Sequence, residues 1–492
     1  MKSVIIIGGG IAGLAAAAAL SDEGFRVTLY EKRALLGGRA SSFVDPDSGD
    51  RIDNCQHVTM RCCTNLEDFY HRIGVADKIH YFDSLSFLDS TGVFSSIHGA
   101  SLPAPLHTFP SFLTFKALGL KDKLTIAFGL LSILRAKREP KLDQISMSEW
   151  VLQTRQTERA VDRFWRPILV SACNEDLDRI SCTHGFHIFR DGFLTNGVAY
   201  QMGLPTVPLG DLYTEPALRY LNERKAKVRT KEHIDGINMK GRCVDSVILV
   251  DGSKAEADYY ISALSFDLLL KLLPNETASH PYFANLANLE FSPITGVHLW
   301  FDKKLDIPPA TAILDREMQW IFNKTGLQEV RSSGIQDREP ASTILPEHPN
   351  TRTTEHPEIT YLGLVVSSAK KLANLPKEEI VALALREVCE CFPQAKEAAL
   401  IKSQVIKERK ATFAPMPGAD KWRPSQRSPI ANLFVAGDWT QTGWPATMEG
   451  AVRSGYLAAE AILQEEGIAK KLIKPDLPPS GLARLLMGKQ YD

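Results

Sequence analysis

The chain has 492 residues and a mass of 54.5 kDa, about three times the size of a typical domain, so a single small domain is excluded. Hydrophobic residues make up 44% and charged residues 23%, which excludes a disordered or collagen-like chain. Lysine and arginine number 57 against 58 acidic residues. This balance gives no support to a nucleic-acid-binding scaffold.

Cysteine usage and apolar runs indicate the compartment. The eight cysteines are scattered, which is not the spacing of a disulfide framework. Cys389 and Cys391 have no second pair or histidine cluster beside them, so no metal site is predicted. The longest apolar-biased run, 124–134, is far shorter than the ~20 residues that span a bilayer. We therefore expect a cytoplasmic protein with reduced thiols.

The start of the chain predicts a βαβ nucleotide-binding unit. Val4–Ile7 is a continuous apolar run, typical of a central parallel strand. A G-x-G-x-x-G motif follows, then an Ala-rich helix and a second strand that ends at Glu31. The glycines suit a tight turn and a close approach of phosphate, and the acid suits a ribose diol and disfavours NADP. The residues predicted to bind the nucleotide here are Gly8, Gly10, Ile11, Ala12, Gly13, Glu31 and Lys32.

A second pattern indicates which dinucleotide this site binds. Gly37-Gly38-Arg39 begins six residues after Glu31 and resembles the E-x5-G-G-R extension of the amine oxidase, phytoene desaturase and protoporphyrinogen oxidase superfamily of flavoproteins. The resemblance implies FAD, with Gly38 and Arg39 against its pyrophosphate. An Arg guanidinium suits this position because it donates several N–H bonds in a fixed fork.

The end of the chain carries a matching signature. A strand-like run ends in Gly437-Asp438, and a helix rich in small residues starts near Thr447-Met448. Together they resemble the C-terminal FAD signature of the same superfamily. That resemblance implies that Asp438 binds a hydroxyl on the ribityl or phosphate side, and that the backbone at Thr447 and Met448 lies beside the flavin pyrimidine. A helix N-terminus there would stabilise negative charge on the reduced flavin.

These pieces predict an α/β fold with a Rossmann-like FAD-binding domain of discontinuous segments and a second, mixed α+β substrate-binding domain. The middle segment predicts a β-hairpin that begins near Ile234. The resemblance to the superfamily implies that this hairpin, with Ile234, lies near the adenine of FAD. The predicted FAD-binding domain comprises 1–75, 205–270 and 405–465. The predicted substrate-binding domain comprises 76–204 and 271–404, and a C-terminal tail covers 466–492.

Two further segments point to a reaction. Asp53-Asn54-Cys55-Gln56-His57 and the run from Trp165 to Asn174 resemble the hydroxysqualene dehydroxylases, a branch of the phytoene desaturase family. The resemblance implies removal of the hydroxyl of C30 hydroxysqualene, by acid-assisted loss of water and a hydride from reduced FAD. His57 and Asp53 are the candidate acids, and Trp165 and Asn174 the candidate substrate residues.

Three alternatives stay open. The nearest is a carotenoid desaturase or isomerase with the same fold and cofactor, and an amine oxidase is a second. A flavin-free prenyl-binding carrier is the third, and the intact glycine motifs argue against it. A long hydrocarbon substrate also predicts attachment to the inner face of the cell membrane. The helical region Leu106–Leu134 is the candidate contact, and a core helix with a solvated rim explains its pattern equally well. The sequence does not identify the electron donor or the oligomeric state.

Overall fold

A computed structural model describes residues 1–46, 49, 51–137, 139–333 and 359–487. Its strands are β1 (Ser3–Ile7), β2 (Arg26–Glu31), β3 (Ser42–Val44), β4 (Arg51–Asp53), β5 (Thr59–Met60), β6 (Ile79–Phe82), β7 (Ser84–Leu88), β8 (Phe94–His98), β9 (Met202–Pro205), β10 (Lys227–Thr230), β11 (Ile234–Lys240), β12 (Cys243–Leu249), β13 (Lys254–Ala255), β14 (Tyr259–Ser262), β15 (Phe291–Phe301), β16 (Ala310–Ile313), β17 (Trp320–Asn323), β18 (Thr360–Ser367), β19 (Leu400–Phe413) and β20 (Leu433–Val435).

The helices are α1 (Ile11–Asp22), α2 (Thr64–Ile73), α3 (Phe109–Leu113), α4 (Leu120–Arg135), α5 (Met147–Gln153), α6 (Glu158–Ala160), α7 (Arg166–Cys173), α8 (Cys182–Phe189), α9 (Leu209–Glu223), α10 (Phe266–Leu272), α11 (Asn275–Ala278), α12 (Pro281–Ala284), α13 (Lys324–Ser333), α14 (Lys377–Cys391), α15 (Met448–Glu465) and α16 (Gly481–Met487).

A five-stranded parallel sheet holds the two glycine motifs. Its order is β10-β2-β1-β14-β20, so strands from the start, middle and end of the chain lie side by side. The four residues Val4–Ile7 are all buried, as expected of a strand covered on both faces. This arrangement confirms the predicted α/β fold with a discontinuous nucleotide-binding sheet.

Helices α1 and α15 pack closely beside this sheet. The contact depends on small side chains: a Cβ added at Gly455 would lie 2.3 Å from the carbonyl oxygen of Ala12. Every residue of α1 from Ile11 to Ser21 is buried. The Ala-rich composition of α1 therefore reflects burial on all sides rather than an exposed face.

A second, seven-stranded sheet forms the cap. Its order is β19-β15-β18-β17-β16-β7-β8, and its pairs are antiparallel except β16 with β7. Helices α4, α5, α7 and α8 contribute to the hydrophobic cluster on one side, and α14 contributes to the cluster on the other. This mixed α+β unit matches the predicted second domain in its class.

The predicted domain boundaries stay predictions, except for the boundary between 404 and 405, which the strand pairing contradicts. All five strands of the parallel sheet fall within 1–75, 205–270 and 405–465. However, β19 (Leu400–Phe413) pairs with β15 along its length, so the boundary predicted between 404 and 405 falls inside a cap strand. The apolar and charged residues of β19 alternate too irregularly to place that boundary.

The tail and α4 share one side of the molecule. Helix α16 packs against α4, and Ala483 N–H donates to the carbonyl of Ala104 at 2.8 Å. Upstream, the Asp476 carboxylate forms an ion pair with Arg453 of α15. The tail therefore runs from the nucleotide-binding domain onto the cap. Within the described residues, no helix is long and apolar enough to span a membrane.

Candidate active site

The motifs from the two ends of the chain line one cavity of about 640 Å³. They meet because the carboxyl ends of parallel strands lie at the same edge of a sheet. The predicted cofactor residues in its wall are Gly8, Gly10, Ile11, Ala12, Glu31, Lys32, Gly38, Arg39, Gly437, Asp438, Thr447 and Met448.

The N-terminus of α1 offers a site for phosphate. Gly10 precedes the helix without a side-chain cap, and the first turn carries no acidic residue. The first backbone N–H groups of a helix have no partner within it, and they attract anions. Gly13 lies behind this surface, where a Cβ would come within 2.0 Å of the Gly8 carbonyl oxygen. Gly13 thus permits the close packing of α1 on the end of β1.

Glu31 is held in place at the end of β2. Its Oε2 accepts from the Gly9 backbone N–H and its Oε1 from the Arg33 backbone N–H, both at 2.8 Å. The side chain is buried. Each carboxylate oxygen retains a lone pair, so the fixed carboxylate can also accept from a ribose diol.

An ion pair joins the two motifs. The Arg39 Nη2 lies 2.5 Å from Oδ1 of Asp438, and Nη1 donates to the carbonyl of Ala411 at 2.6 Å. Asp438 is buried. The two residues are 399 positions apart in sequence, so the pair forms only when the distant segments have assembled.

A buried arginine braces the loop that follows Asp438. Arg423, which sequence reasoning missed, is 3% exposed and donates to the carbonyls of Thr440 at 2.6 Å and Trp444 at 2.8 Å. Its Nη1 also pairs with Asp420 at 2.9 Å. Arg423 therefore fixes the approach to α15, whose N-terminus faces the cavity.

A second missed residue, Glu449, ties α15 to α2. It is fully buried, pairs with Arg453 at 2.7 Å and accepts the Leu66 backbone N–H at 2.7 Å. The Glu-x-x-x-Arg spacing places both side chains on one helix face and was a signal available in the sequence. Together with Thr447, which caps α15 by accepting the Gly450 N–H, it sets the position of the helix start.

This donor set fits a dinucleotide flavin. The N-terminus of α1 and the Arg39 guanidinium suit a pyrophosphate, and Glu31 suits a ribose. A family model for flavin containing amine oxidoreductases matches residues 11–463.

The chain belongs to the flavin containing amine oxidoreductase family. It is accordingly an FAD-dependent oxidoreductase. When bound, FAD accepts or donates a hydride at its isoalloxazine ring. Family membership also argues against the flavin-free carrier.

Relatives of similar length are desaturases. The 15-cis-phytoene desaturase of Synechococcus elongatus is 29% identical over 483 residues, covering 94% of this chain and 96% of the relative. The zeta-carotene desaturase of Synechocystis is 29% identical over 486 residues, covering 94% and 97%. These relatives match the oxidative alternative better than hydroxysqualene dehydroxylation.

Solved structures share the fold at low identity. A putrescine oxidase aligns with a TM-score of 0.67 at 16% identity, covering 94% of this chain and 99% of the other. An oxidoreductase from Methanosarcina mazei aligns with a TM-score of 0.67 at 17% identity, covering 94% and 100%. At this identity the likeness concerns the fold alone.

The two candidate acids lie in different surroundings. His57 is in the cavity wall, and its Nδ1 lies 3.0 Å from the Cys55 carbonyl oxygen. Asp53 instead pairs with Lys324 at 2.8 Å and accepts the Leu209 N–H at 2.9 Å. Among the hydrogen bonds of the described residues, none joins Asp53 to His57. The hypothesis that Asp53 orients His57 or acts on substrate therefore finds no support, because its carboxylate is engaged with the cap.

The protonation of these groups follows from their surroundings. Burial lowers the pKa of His57, and the Cys55 carbonyl and the charge of Asp53 offset this only in part. Burial alone would raise the pKa of Asp53, but the Lys324 ammonium and further hydrogen bonds hold it below its usual range. His57 is thus favoured as a neutral imidazole and Asp53 as a carboxylate.

The side chains of the two candidate substrate residues form hydrogen bonds with other residues of the protein. Trp165 is fully buried and donates to Gln156 Oε1 at 2.8 Å, so the structure places it in the core of the cap and not at the cavity. Asn174 does line the cavity. Its amide nitrogen, however, donates to Thr412 Oγ1 at 2.8 Å, and its amide oxygen accepts the Ser368 N–H at 2.8 Å. These bonds tie the end of α7 to β19 and to the residue that follows β18.

Ile234 is also buried, in the cluster that backs the parallel sheet, and its contact with adenine stays a prediction.

A polar pair missed by sequence reasoning, His187 and Asp191, lines the cavity with Nδ1 and Oδ2 2.9 Å apart. The His187 ring packs edge-on against Trp444 at 4.4 Å. Their four-residue spacing at the end of α8 was a detectable signal.

Proposed function

We propose that the protein is an FAD-dependent desaturase of a long-chain isoprenoid hydrocarbon of the C30 to C40 class. The observation that carries the proposal is the apolar continuation of the FAD cavity into the cap. Its wall there is built from four strands, two helices and the turn that follows α8. The apolar residues include Leu85, Phe87, Ile168, Ile188, Phe193, Met202, Trp320, Phe322 and Val365. The desaturase names of the relatives support the same substrate class.

Desaturation removes a hydride and a proton from neighbouring carbons; bound oxidised FAD would accept the hydride, and a base must accept the proton. His57 is the proposed proton acceptor, because it lies in the cavity wall and its lowered pKa favours the neutral, proton-accepting imidazole. Dehydroxylation requires the opposite, an acid that protonates the departing oxygen. The neutral protonation state of His57 therefore favours desaturation over dehydroxylation.

The direction can be tested with one preparation. Anaerobic enzyme with oxidised FAD is mixed with phytoene in vesicles, and flavin bleaching is followed together with product mass. We expect bleaching and a product lighter by two hydrogens. Photoreduced enzyme mixed with hydroxysqualene is the matched experiment, and formation of squalene there without bleaching in the first would overturn the proposal.

The variant His57→Gln tests the proton acceptor. General base catalysis contributes about 10²- to 10⁴-fold, so we expect bleaching by substrate to slow by at least two orders of magnitude with FAD content unchanged. His71→Gln, on the exposed side of α2, is the control and is expected to behave as wild type. Unchanged turnover of His57→Gln would remove this residue from the reaction.

We also propose that the hydrocarbon is drawn from a lipid surface. On α4, Leu120, Leu124 and Phe128 are 74%, 64% and 60% exposed and repeat every four residues on one face. Leu106 and Leu113 before α4, and three leucines of the adjacent α16, are also exposed. Exposed basic residues border this patch: Lys116, Lys121, Arg135 and Lys137. An apolar face with a basic border suits an anionic bilayer surface.

Vesicle flotation checks this surface. Phe128→Glu combined with Leu124→Glu should reduce binding to vesicles containing phosphatidylglycerol by at least tenfold, since it places two charges in the patch. Val250→Glu, an equally exposed site on a hairpin of the nucleotide-binding domain, should bind as wild type. Equal binding of all three proteins would contradict the proposed surface.

A further inference from the structure

Two aromatic rings of the cap form part of the cavity wall. Trp320 and Phe322 lie two residues apart on β17, so their side chains share a face of the strand, and both line the cavity. Their ring centroids are 5.7 Å apart and their planes are within 12° of parallel. The proposed substrate cavity thus contains a short aromatic strip at a defined place.

The position of Trp320 is fixed by hydrogen bonding to α7. Its Nε1–H donates to Ser171 Oγ at 2.7 Å, and the Ser171 hydroxyl donates to the Pro167 carbonyl at 2.7 Å. Ser171 and Pro167 of α7 therefore form a hydrogen-bonded chain that fixes the indole ring. A hydrocarbon cannot accept a hydrogen bond, so an indole N–H in such a cavity needs a partner from the protein. With Ser171 in this role, the ring presents only apolar and π surface to the occupant.

We propose that Trp320, held by Ser171, is a specificity-determining residue that selects isoprenoid chains with conjugated double bonds over chains of equal length without them. The inference rests on the proposed function for its ligand class. Both kinds of chain bury the same apolar area, but a planar conjugated segment also interacts with aromatic rings through its π electrons. Pairs of aromatic rings gain about two- to tenfold in affinity beyond the effect of area, and we expect a contact of the same order here.

The experiment measures bound hydrocarbon rather than turnover. Holoprotein is equilibrated with micelles that contain equal amounts of phytoene and a C40 analogue in which only the conjugated double bonds are reduced, and the hydrocarbon retained after gel filtration is quantified by mass spectrometry. We expect wild type to enrich phytoene about two- to tenfold. Trp320→Leu should bring the ratio near one, and Trp320→Phe should retain most of the enrichment. Ser171→Ala should lower it partly, because the indole is then free to turn.

Trp300→Leu is the matched control. Trp300 lies on β15 of the same sheet and stacks on Tyr361, with centroids 4.3 Å apart, and neither residue is among those lining the cavity. It should enrich phytoene as wild type does. Equal retention of the two chains by wild type, or full enrichment by both Trp320→Leu and Ser171→Ala, would overturn the inference. A wild type that enriches phytoene without bleaching of its flavin would refute the proposed reaction and leave this inference standing.

Discussion

The two sides of the cavity bind by different physical means. On the nucleotide side, recognition is directional: the first turn of α1, the Glu31 carboxylate and the Arg39–Asp438 pair each present a donor or acceptor at a fixed place. On the cap side, the wall is largely aliphatic and aromatic, so binding there depends on area and shape. The nucleotide side is therefore suited to a single cofactor, whereas the cap side suits only a class of ligand, the proposed hydrocarbon chain.

The largest effect is expected where the two sides meet. Lys324 of the cap pairs with Asp53 of the nucleotide side, and both are buried. Lys324→Met leaves an uncompensated buried carboxylate, which costs about 3–5 kcal/mol of the free energy of unfolding. Differential scanning calorimetry would show this as a lowered Tm.

Lys304→Met is the control for that change. Lys304 pairs with Glu329 at the same 2.8 Å, but both side chains are more than half exposed, so less than about 1 kcal/mol is expected. Equal shifts in Tm for the two variants would mean that the buried pair does not join the two sides.

The next effect concerns directional recognition. Arg39→Met removes the predicted phosphate donor and leaves Asp438 buried without its partner. A hydrogen bond to a charged group contributes about 1.5–3 kcal/mol, so the Kd for FAD should rise about 10- to 100-fold in fluorescence titrations of the apoprotein. Arg26→Met, exposed on the same sheet, should leave the Kd unchanged, and so should Phe87→Leu on the cap side. A comparable loss of FAD affinity in Phe87→Leu would contradict the division of the cavity into a side that binds the cofactor and a side that does not.

A smaller effect is expected in the pH profile. The pKa of His57 is lowered, and the proposed base acts in its neutral form. The kcat/KM for desaturation should therefore be flat near neutral pH and fall as pH drops through a midpoint below the usual value of about 6.5. His57→Gln should lose this acidic limb. A midpoint above about 6.5 would assign the limb to another group.

The smallest effect lies in the tail. Asp476 pairs with Arg453 but is about one-third exposed, so Asp476→Asn should cost less than about 1 kcal/mol. Limited proteolysis should nevertheless cut the tail faster, because this pair holds the segment to α15. Cleavage at the wild-type rate would indicate that α16 alone secures the tail.

The nucleotide side could be predicted because its parts depend on local backbone geometry. Gly8, Gly13 and Gly38 mark a turn and close packing that few other residues permit, and Glu31 follows at the end of a strand. The pairing of Arg39 with Asp438 is long-range, yet each residue lies within a motif of its own. The fold class and the FAD site followed from these local patterns.

The cap could not be predicted to the same degree. Its cavity is built from side chains of separate elements, and no short pattern distinguishes a wall residue such as Trp320 from a core residue such as Trp165. Each is a tryptophan with one apolar and one polar neighbour in the sequence. Likewise, the proximity of Lys324 to Asp53, 271 residues away, results from tertiary packing alone. Resemblance to one branch of a family placed Asp53 beside the chemistry, and the ion pair shows where its carboxylate is instead engaged.

The position of β20 at the edge of the parallel sheet has a consequence for biosynthesis. Strands β1 and β2 leave the ribosome early, but their sheet gains its last strand only after residue 435 has been made. At about 5–20 residues per second, the nascent chain waits roughly 20–80 s with an apolar sheet edge unpaired. Such edges attract other chains, so the yield of active protein in cells should depend on translation speed and on chaperones that shield the unfinished sheet.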